Sequence, residues 1–271
     1  MATEDKRALD KAWIIERADE VRRTGSTLIK NVIPVEKIDE LNRVFQPLLT
    51  ETELAENGAG NRGPSRYYVT PPFRAPWTDI SIIDNDIIMA IVSELVGADG
   101  VFCQLATDTP CLGSEYQDLH RDTQSLFPEW EQETPPYQLA VNFPLVDCHS
   151  ENGPLEMAPS THLLAKDEAL RRIQSGEICL EQVLMKRGDI LIRDVRHIHR
   201  GTPNKTDEPR PMVVLGYSRR WLFRPEVQIR VAQEILEQVP LRTRKWLRFN
   251  PVFNTIEEAE KKEELYRSFA Y

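Results

Sequence analysis

The segment Val183-Leu184-Met185-Lys186-Arg187-Gly188-Asp189-Ile190-Leu191-Ile192-Arg193 decides the fold class. Two runs of β type flank Arg187-Gly188, a tight-turn pair, so the segment reads as a hairpin. Similar runs recur over 101–105, 114–119, 138–144, 153–157 and 212–217, separated by turn residues. Ahead of them the pattern is helical. Leu9, Ala12, Trp13, Ala18 and Val21 fall at helical spacing over 5–23, and Ile38, Leu41, Val44, Phe45 and Leu48 do so after Pro34. A third helix is predicted over 86–96, stopping at Gly97, and a short strand over 27–29. A helical insertion over 166–176 interrupts the strands, and a charged helix over 255–267 closes the chain. A helical front followed by many short strands predicts an α+β chain, mainly β, built around a sandwich or barrel of jelly-roll type. No composition break divides it. The expectation is a single domain over 1–271, with a helical front and lid loop (1–98), a jelly-roll core (99–221) and a C-terminal extension (222–271).

Composition bounds the function. With 41% hydrophobic and 28% charged residues in 271, the chain can bury a core and is not disordered. The longest apolar stretch, near 87–96, contains Glu94, so no membrane-spanning helix is expected. Acidic residues outnumber basic ones, 43 to 34, and the net charge of −9 weighs against nucleic acid and anionic membrane as partners. The basic run from Arg242 to Arg248 reads as a solvated helix face. Cys103, Cys111, Cys148 and Cys179 form no CxxC pair, the start is mixed-charge, and Phe269-Ala270-Tyr271 is not a peroxisomal tripeptide. The expected location is the cytoplasm, with reduced thiols. A homodimer is compatible with the sequence, which is otherwise silent on oligomeric state.

Only five histidines occur, at 120, 149, 162, 197 and 199. His120-Arg121-Asp122 places a His and an Asp two apart. On a strand both face one side and can grip one metal ion, while Arg121 points the other way. By itself the pair equally describes a surface His beside a salt-bridged Asp. A second histidine from a distant strand, His197 or His199, completes two His and one carboxylate. That set leaves three coordination positions open, as in non-haem Fe(II) oxygenases; a closed zinc site would want four protein ligands. Arg210 opens the next predicted strand. A guanidinium inside a barrel needs a carboxylate partner, and a dicarboxylic cosubstrate that chelates iron at its other end would supply it. An internal Asp or Glu would serve equally. Gln117, Tyr137 and Asn142 are candidates to hydrogen-bond that cosubstrate, or polar residues of the barrel surface.

The set His120-x-Asp122, Glu151-Asn152-Gly153, Pro159-Ser160-Thr161-His162, His199 and Arg210 resembles the phytanoyl-CoA dioxygenase family, over roughly 25–221. The run from Ile192 to Pro211 is most similar to bacterial members of natural-product pathways. The resemblance implies a double-stranded β-helix of cupin-like type and an Fe(II)- and 2-oxoglutarate-dependent dioxygenase that uses O2 to oxidise a small-molecule metabolite by hydroxylation or a related C–H oxidation. It implies His120, Asp122 and His199 as iron ligands and Arg210 as the partner of the distal carboxylate of 2-oxoglutarate. His197 then lines the core or the substrate pocket. Many relatives carry Ser where this chain has Gly201, and Thr202 is the candidate substitute. Arg66 is the candidate for a basic residue that in relatives precedes the His-x-Asp strand and touches cosubstrate or substrate. Halogenases of this scaffold replace the carboxylate ligand by Gly or Ala; Asp122 disfavours that chemistry. The loop over 56–76 and the insertion after His162 are candidate lids, and Tyr67, Tyr68, Phe73, Trp77, Phe127 and Trp130 are candidates to line the pocket. Two alternatives are a cupin-like metal enzyme independent of 2-oxoglutarate and a non-catalytic binding barrel. A neutral or cationic substrate fits the acidic chain better than an acyl-CoA.

Overall fold

A computed structural model describes residues 10–130, 133–222, 224 and 227–261. The front half is helical, as expected. Helix α1 (Lys11–Thr24) is capped by the Asp10 carboxylate, which accepts from the Ala12 amide at 3.1 Å. Strand β1 (Ser26–Ile29), helix α2 (Val35–Ala55), strand β2 (Arg66–Val69), the single turn α3 (Ile80–Ile83) and helix α4 (Asp86–Val96) follow. Residues 5–9 of the expected first helix lie outside the described residues. The expected long loop over 56–76 is interrupted by β2.

The β region contains β3 (Val101–Pro110), β4 (Gln138–Pro144), β5 (Leu155–Met157), helix α5 (Lys166–Gln174), β6 (Glu181–Val183), β7 (Ile190–Asp194), β8 (His199–Gly201) and β9 (Met212–Ser218). After them come β10 (Val231–Ala232), α6 (Gln233–Gln238), α7 (Leu241–Trp246), β11 (Val252–Phe253) and α8 (Ile256–Glu260). Of the closing helix expected over 255–267, Ile256–Glu260 are helical and 262–267 lie outside the described residues. On α7, Arg242 pairs with Asp84 and Asp86, while Trp246 is buried.

Six strands form one antiparallel sheet in the order β1-β7-β4-β9-β3-β2, and β6-β5-β8 form a smaller antiparallel sheet. This corrects the hairpin reading of 183–193. Strands β6 and β7 do not pair with each other: β6 pairs with β5, and β7 with β1 and β4. The turn at Arg187-Gly188 carries the chain from one sheet to the other. Gly188 has φ +94°, and a Cβ there would stand 2.6 Å from the Ile33 carbonyl oxygen, so only glycine fits.

Alternation gives the large sheet two faces. Leu139, Val141, Phe143, Ile190, Ile192, Val213, Leu215 and Tyr217 join the main apolar cluster with α1, α2 and α4. Their neighbours one residue along line a cavity shared with the small sheet: Gln138, Ala140, Asn142, Leu191, Arg193, Met212 and Val214. Register sets them in rows. Ala140 faces Arg193, Asn142 faces Leu191 and Val214, and Asp108 faces Met212. The large sheet thus buries an apolar face under helices and turns a polar face inward. Among the described residues no helix is long and apolar enough to cross a membrane.

Candidate metal centre

His199 sits on β8, opposite Met157 of β5. His120 is not on a strand. The expected strand over 114–119 is an irregular extended segment that runs beside β8, fixed by Gln117 N–H to the Gly201 carbonyl (3.0 Å) and by reciprocal His120–His199 backbone bonds (3.0 and 3.1 Å). Asp122 is anchored by its amide to the Val195 carbonyl at 3.0 Å. Arg121 points away, as expected, and is buried against Glu133 (2.9 Å) and the Thr161 carbonyl (2.8 Å). Glu133 also meets Arg196, whose guanidinium holds Asp194 at 2.6 Å with both side chains fully buried. This network ties the His120–Asp122 loop to the turn after β7.

The donors converge. One ligand atom from each of His120, Asp122 and His199 lies within 4.8 Å of the others. The two Nε2 atoms stand 3.8 and 3.5 Å from Asp122 Oδ1. Each Nδ1 faces a carbonyl: His120 that of Asp118 at 2.7 Å, His199 that of His197 at 2.8 Å. A carbonyl only accepts, so each Nδ1 carries a proton, which in a neutral imidazole leaves Nε2 as the nitrogen that can bind a metal. Burial pulls the His120 pKa down to about 4, helped by the nearby His199, so the imidazole is neutral at physiological pH. Burial alone would raise the Asp122 carboxyl, but Arg193 and the two histidines hold it well below the usual carboxylate range. The set fits a divalent metal with an open side.

His197 is not at this centre. It lies in the turn after β7, buried, with its Nε2 on the Ala158 carbonyl at 2.6 Å. His162 is also buried, 6.1 Å from the His197 ring, and His149 lies in a loop.

The cavity has a volume of about 110 Å³ and includes the three donors, Gln117 and Arg210. Arg210 is 2% exposed, gives Nη2 to the Gly153 carbonyl, and leaves Nε without a partner. Burial pulls its pKa down, and among the described residues it makes no ion pair. A buried guanidinium with a spare N–H at one end of a metal cavity suits a carboxylate.

Two expectations need correction. The Thr202 hydroxyl donates to the Pro154 carbonyl at 2.7 Å and does not line the cavity. Arg66 does not line it either; its guanidinium, 1% exposed, spans Asp108 (2.7 Å) and the Thr202 carbonyl (2.8 Å). A Cβ on Gly201 would lie 2.4 Å from Arg66 Nη1, so Arg66 occupies the space that a side chain at 201 would fill. Gln117 is partly used within the protein, its Oε1 accepting from the Gly201 amide at 2.9 Å. Asn142 lines the cavity, whereas Tyr137 is packed under Arg196 with its ring 4.8 Å from the guanidinium carbon.

Next to this cavity lies a second cleft of about 620 Å³, sharing Arg62, Tyr68, Gln104 and Val227 with the first. The segment 70–74 lines it. Of the aromatic candidates Tyr68 faces both spaces and Phe73 the second, while Tyr67 and Trp77 are core residues and Phe127 and Trp130 stack on each other, partly exposed. Helix α5 lines neither space; its Ala169 packs against Ile198. Sequence reading passed over Arg193, Arg62 and Arg224 of the cavity wall. Arg193 had a visible signal, a charge inside the apolar run of β7.

A family model described as phytanoyl-CoA dioxygenase (PhyH) matches residues 21–212. Solved structures share the fold. The non-haem α-ketoglutarate-dependent epimerase SnoN from nogalamycin biosynthesis, in complex with Fe3+, α-ketoglutarate and nogalamycin RO, matches with TM-score 0.60 and 21% identity, over 78% of this chain and 85% of its own. AviO1 from Streptomyces viridochromogenes Tue57 matches with TM-score 0.60 and 19% identity, over 80% of this chain and 98% of its own. The α-ketoglutarate-dependent carbocyclase SnoK from nogalamycin biosynthesis matches with TM-score 0.56 and 18% identity, over 75% and 83%. With the family match running from within α1 to the start of β9 and taking in all three metal donors and Arg210, the chain belongs to the phytanoyl-CoA dioxygenase family.

Proposed function

We propose that this protein is an Fe(II)- and 2-oxoglutarate-dependent dioxygenase that oxidises a C–H bond of a small-molecule metabolite in a natural-product pathway. The observation that carries the reading is the joint placement in one cavity of the His120–Asp122–His199 donors and of Arg210, which makes no ion pair among the described residues. The two antiparallel sheets around that cavity support a double-stranded β-helix of cupin-like type. The nogalamycin-pathway epimerase and carbocyclase of similar fold support the pathway class. Four unpaired cysteines support the cytoplasm as location.

Bound iron with 2-oxoglutarate and O2 supplies oxidative decarboxylation to succinate and CO2, coupled to substrate oxidation. The residues do the rest. His120, Asp122 and His199 hold the metal. Arg210 takes the distal carboxylate between the apolar walls Leu155, Met185 and Met212, which exclude water there. Substrate occupies the larger cleft and reaches the metal past Tyr68 and Gln104, which bond to each other at 2.8 Å. At about 620 Å³ the cleft suits a ligand of ordinary metabolite or drug size.

The test is anaerobic loading with Fe(II) and 2-oxoglutarate, then O2, with succinate measured across a panel of metabolites. Succinate formation stimulated by one chemical group of the panel supports the reading. Product formed without 2-oxoglutarate points instead to a 2-oxoglutarate-independent metal enzyme, and no metal uptake to a binding barrel.

A further inference from the structure

The inner face of β7 carries a charge that the proposed reaction has not used. Arg193 is 5% exposed and lines the metal cavity. Burying a guanidinium costs several kcal/mol unless its donors are satisfied. Two are: Nη2 donates to Asp122 Oδ2 at 2.6 Å, and Nε to Asn142 Oδ1 at 3.1 Å. The third group, Nη1, is buried without an acceptor. Asp122 is thereby divided. Its Oδ1 faces both histidine Nε2 atoms, while its Oδ2 is taken by Arg193. The register places Arg193 in the row of Ala140, one row from Leu191 and Asn142 and two from Met212, so its head lies toward the metal end of the cavity and Arg210 toward the other.

We infer that Arg193 is a positioning residue of the metal centre: Nη2 restricts Asp122 to one-oxygen ligation, and Nη1 is held for the carboxylate of 2-oxoglutarate that chelates the metal. The cavity then grips a dicarboxylate at both ends, Arg210 at the distal carboxylate and Arg193 at the proximal one. An apolar residue at 193 would leave Asp122 free to chelate through both oxygens and occupy a position the cosubstrate needs. The inference rests on the iron and 2-oxoglutarate reading of the same site.

The experiment compares wild type, Arg193→Gln and Arg193→Lys. Mn(II) replaces iron, so binding is read without turnover. Mn(II) affinity is titrated by electron paramagnetic resonance, and 2-oxoglutarate affinity is measured calorimetrically at saturating Mn(II). Thermal melts of the metal-free proteins report folding. Arg193→Gln is expected to weaken Mn(II) binding by about 10- to 100-fold, the usual effect of losing a group that orients a metal ligand. It is expected to weaken 2-oxoglutarate by about tenfold or more, the loss of a hydrogen bond between charged groups. Arg193→Lys keeps one charged nitrogen for Asp122 but has no second nitrogen at the place of Nη1, so metal affinity recovers and 2-oxoglutarate affinity does not; this variant also carries the test if Arg193→Gln does not fold. If folded Arg193→Gln matches wild type within about twofold in both affinities, or if Arg193→Lys restores 2-oxoglutarate binding in full, the inference is overturned. If wild type itself binds neither probe, the underlying reading of the site fails as well.

Discussion

Replacing Gly201 by Ala tests how the cavity floor is built. The Gly201 backbone is in an ordinary region, so a methyl group costs nothing in φ; the obstacle is Arg66. The new Cβ would stand 2.4, 2.6 and 2.7 Å from three atoms of its guanidinium. Arg66 is pinned by Asp108 at 2.7 Å and the Thr202 carbonyl at 2.8 Å, and 1% exposure leaves it nowhere to go. One of those charged hydrogen bonds, each worth about 1.5–3 kcal/mol, must break or stretch. With the overpacking itself, the expected loss is about 2–4 kcal/mol, a melting point lower by roughly 4–16 °C for a chain near this size. The assay is a double-mutant cycle in urea with Gly201→Ala, Arg66→Ala and both. With Arg66 removed the methyl group has room, so Gly201→Ala should cost under about 0.5 kcal/mol in that background, a coupling near 2 kcal/mol. Additive effects of the two substitutions would refute the idea that Arg66 fills the place of a 201 side chain.

Further outcomes follow from the same geometry. Arg210→Met should raise the 2-oxoglutarate KM by at least about 30-fold, with Arg210→Lys intermediate, because a charge pair in a dry cavity is lost; succinate formation against cosubstrate concentration reads this. Tyr68→Ala alters the wall between the two cavities and should change the substrate KM while 2-oxoglutarate affinity stays within about twofold. Burial works to raise the Asp194 carboxyl, but hydrogen bonds and charge from Arg196 hold its folded pKa below the ordinary 3.8. Its contribution to stability is therefore full above that value and is lost as pH falls through the lower folded one. Asp194→Asn should lower stability at neutral pH by about 3–5 kcal/mol and flatten the acid limb of a stability–pH profile.

Much of the fold was legible because the helices and the outward face of the large sheet follow simple periodicities. Strand β4 begins at Gln138 and ends at Pro144 and α4 spans Asp86–Val96 as expected, while α2 presents the apolar stripe read from the sequence and α1 buries Ala18 and Val21 of its own. What periodicity hides is sidedness. In β3 and β7 the polar positions Gln104, Asp108 and Arg193 face a cavity instead of water. The expected end of β3 at residue 105 missed Thr107 and Thr109, which are fully buried on the strand. The sheet switch at Gly188 was illegible because two adjacent β runs joined by a turn look alike whether they pair with each other or with distant strands. At the site, the spacing of His120 and Asp122 and the family pattern around His199 and Arg210 located the centre. Local spacing left His197 eligible, because the turn at Val195–Arg196 that removes it from the strand is visible only in the fold. The same limit applies to Arg66, whose place depends on a missing Cβ at Gly201, far away in sequence.

The central claim is that three donors and Arg210 assemble a metal–dicarboxylate site. Anaerobic titration of 2-oxoglutarate into Fe(II)-loaded protein, followed by the visible charge-transfer band of the chelated cosubstrate, tests it directly. A saturable band in wild type, absent in Asp122→Ala and requiring at least about 30-fold more 2-oxoglutarate in Arg210→Met, is the predicted result. A band of equal strength and affinity in all three proteins, or none in wild type with iron bound, would contradict it.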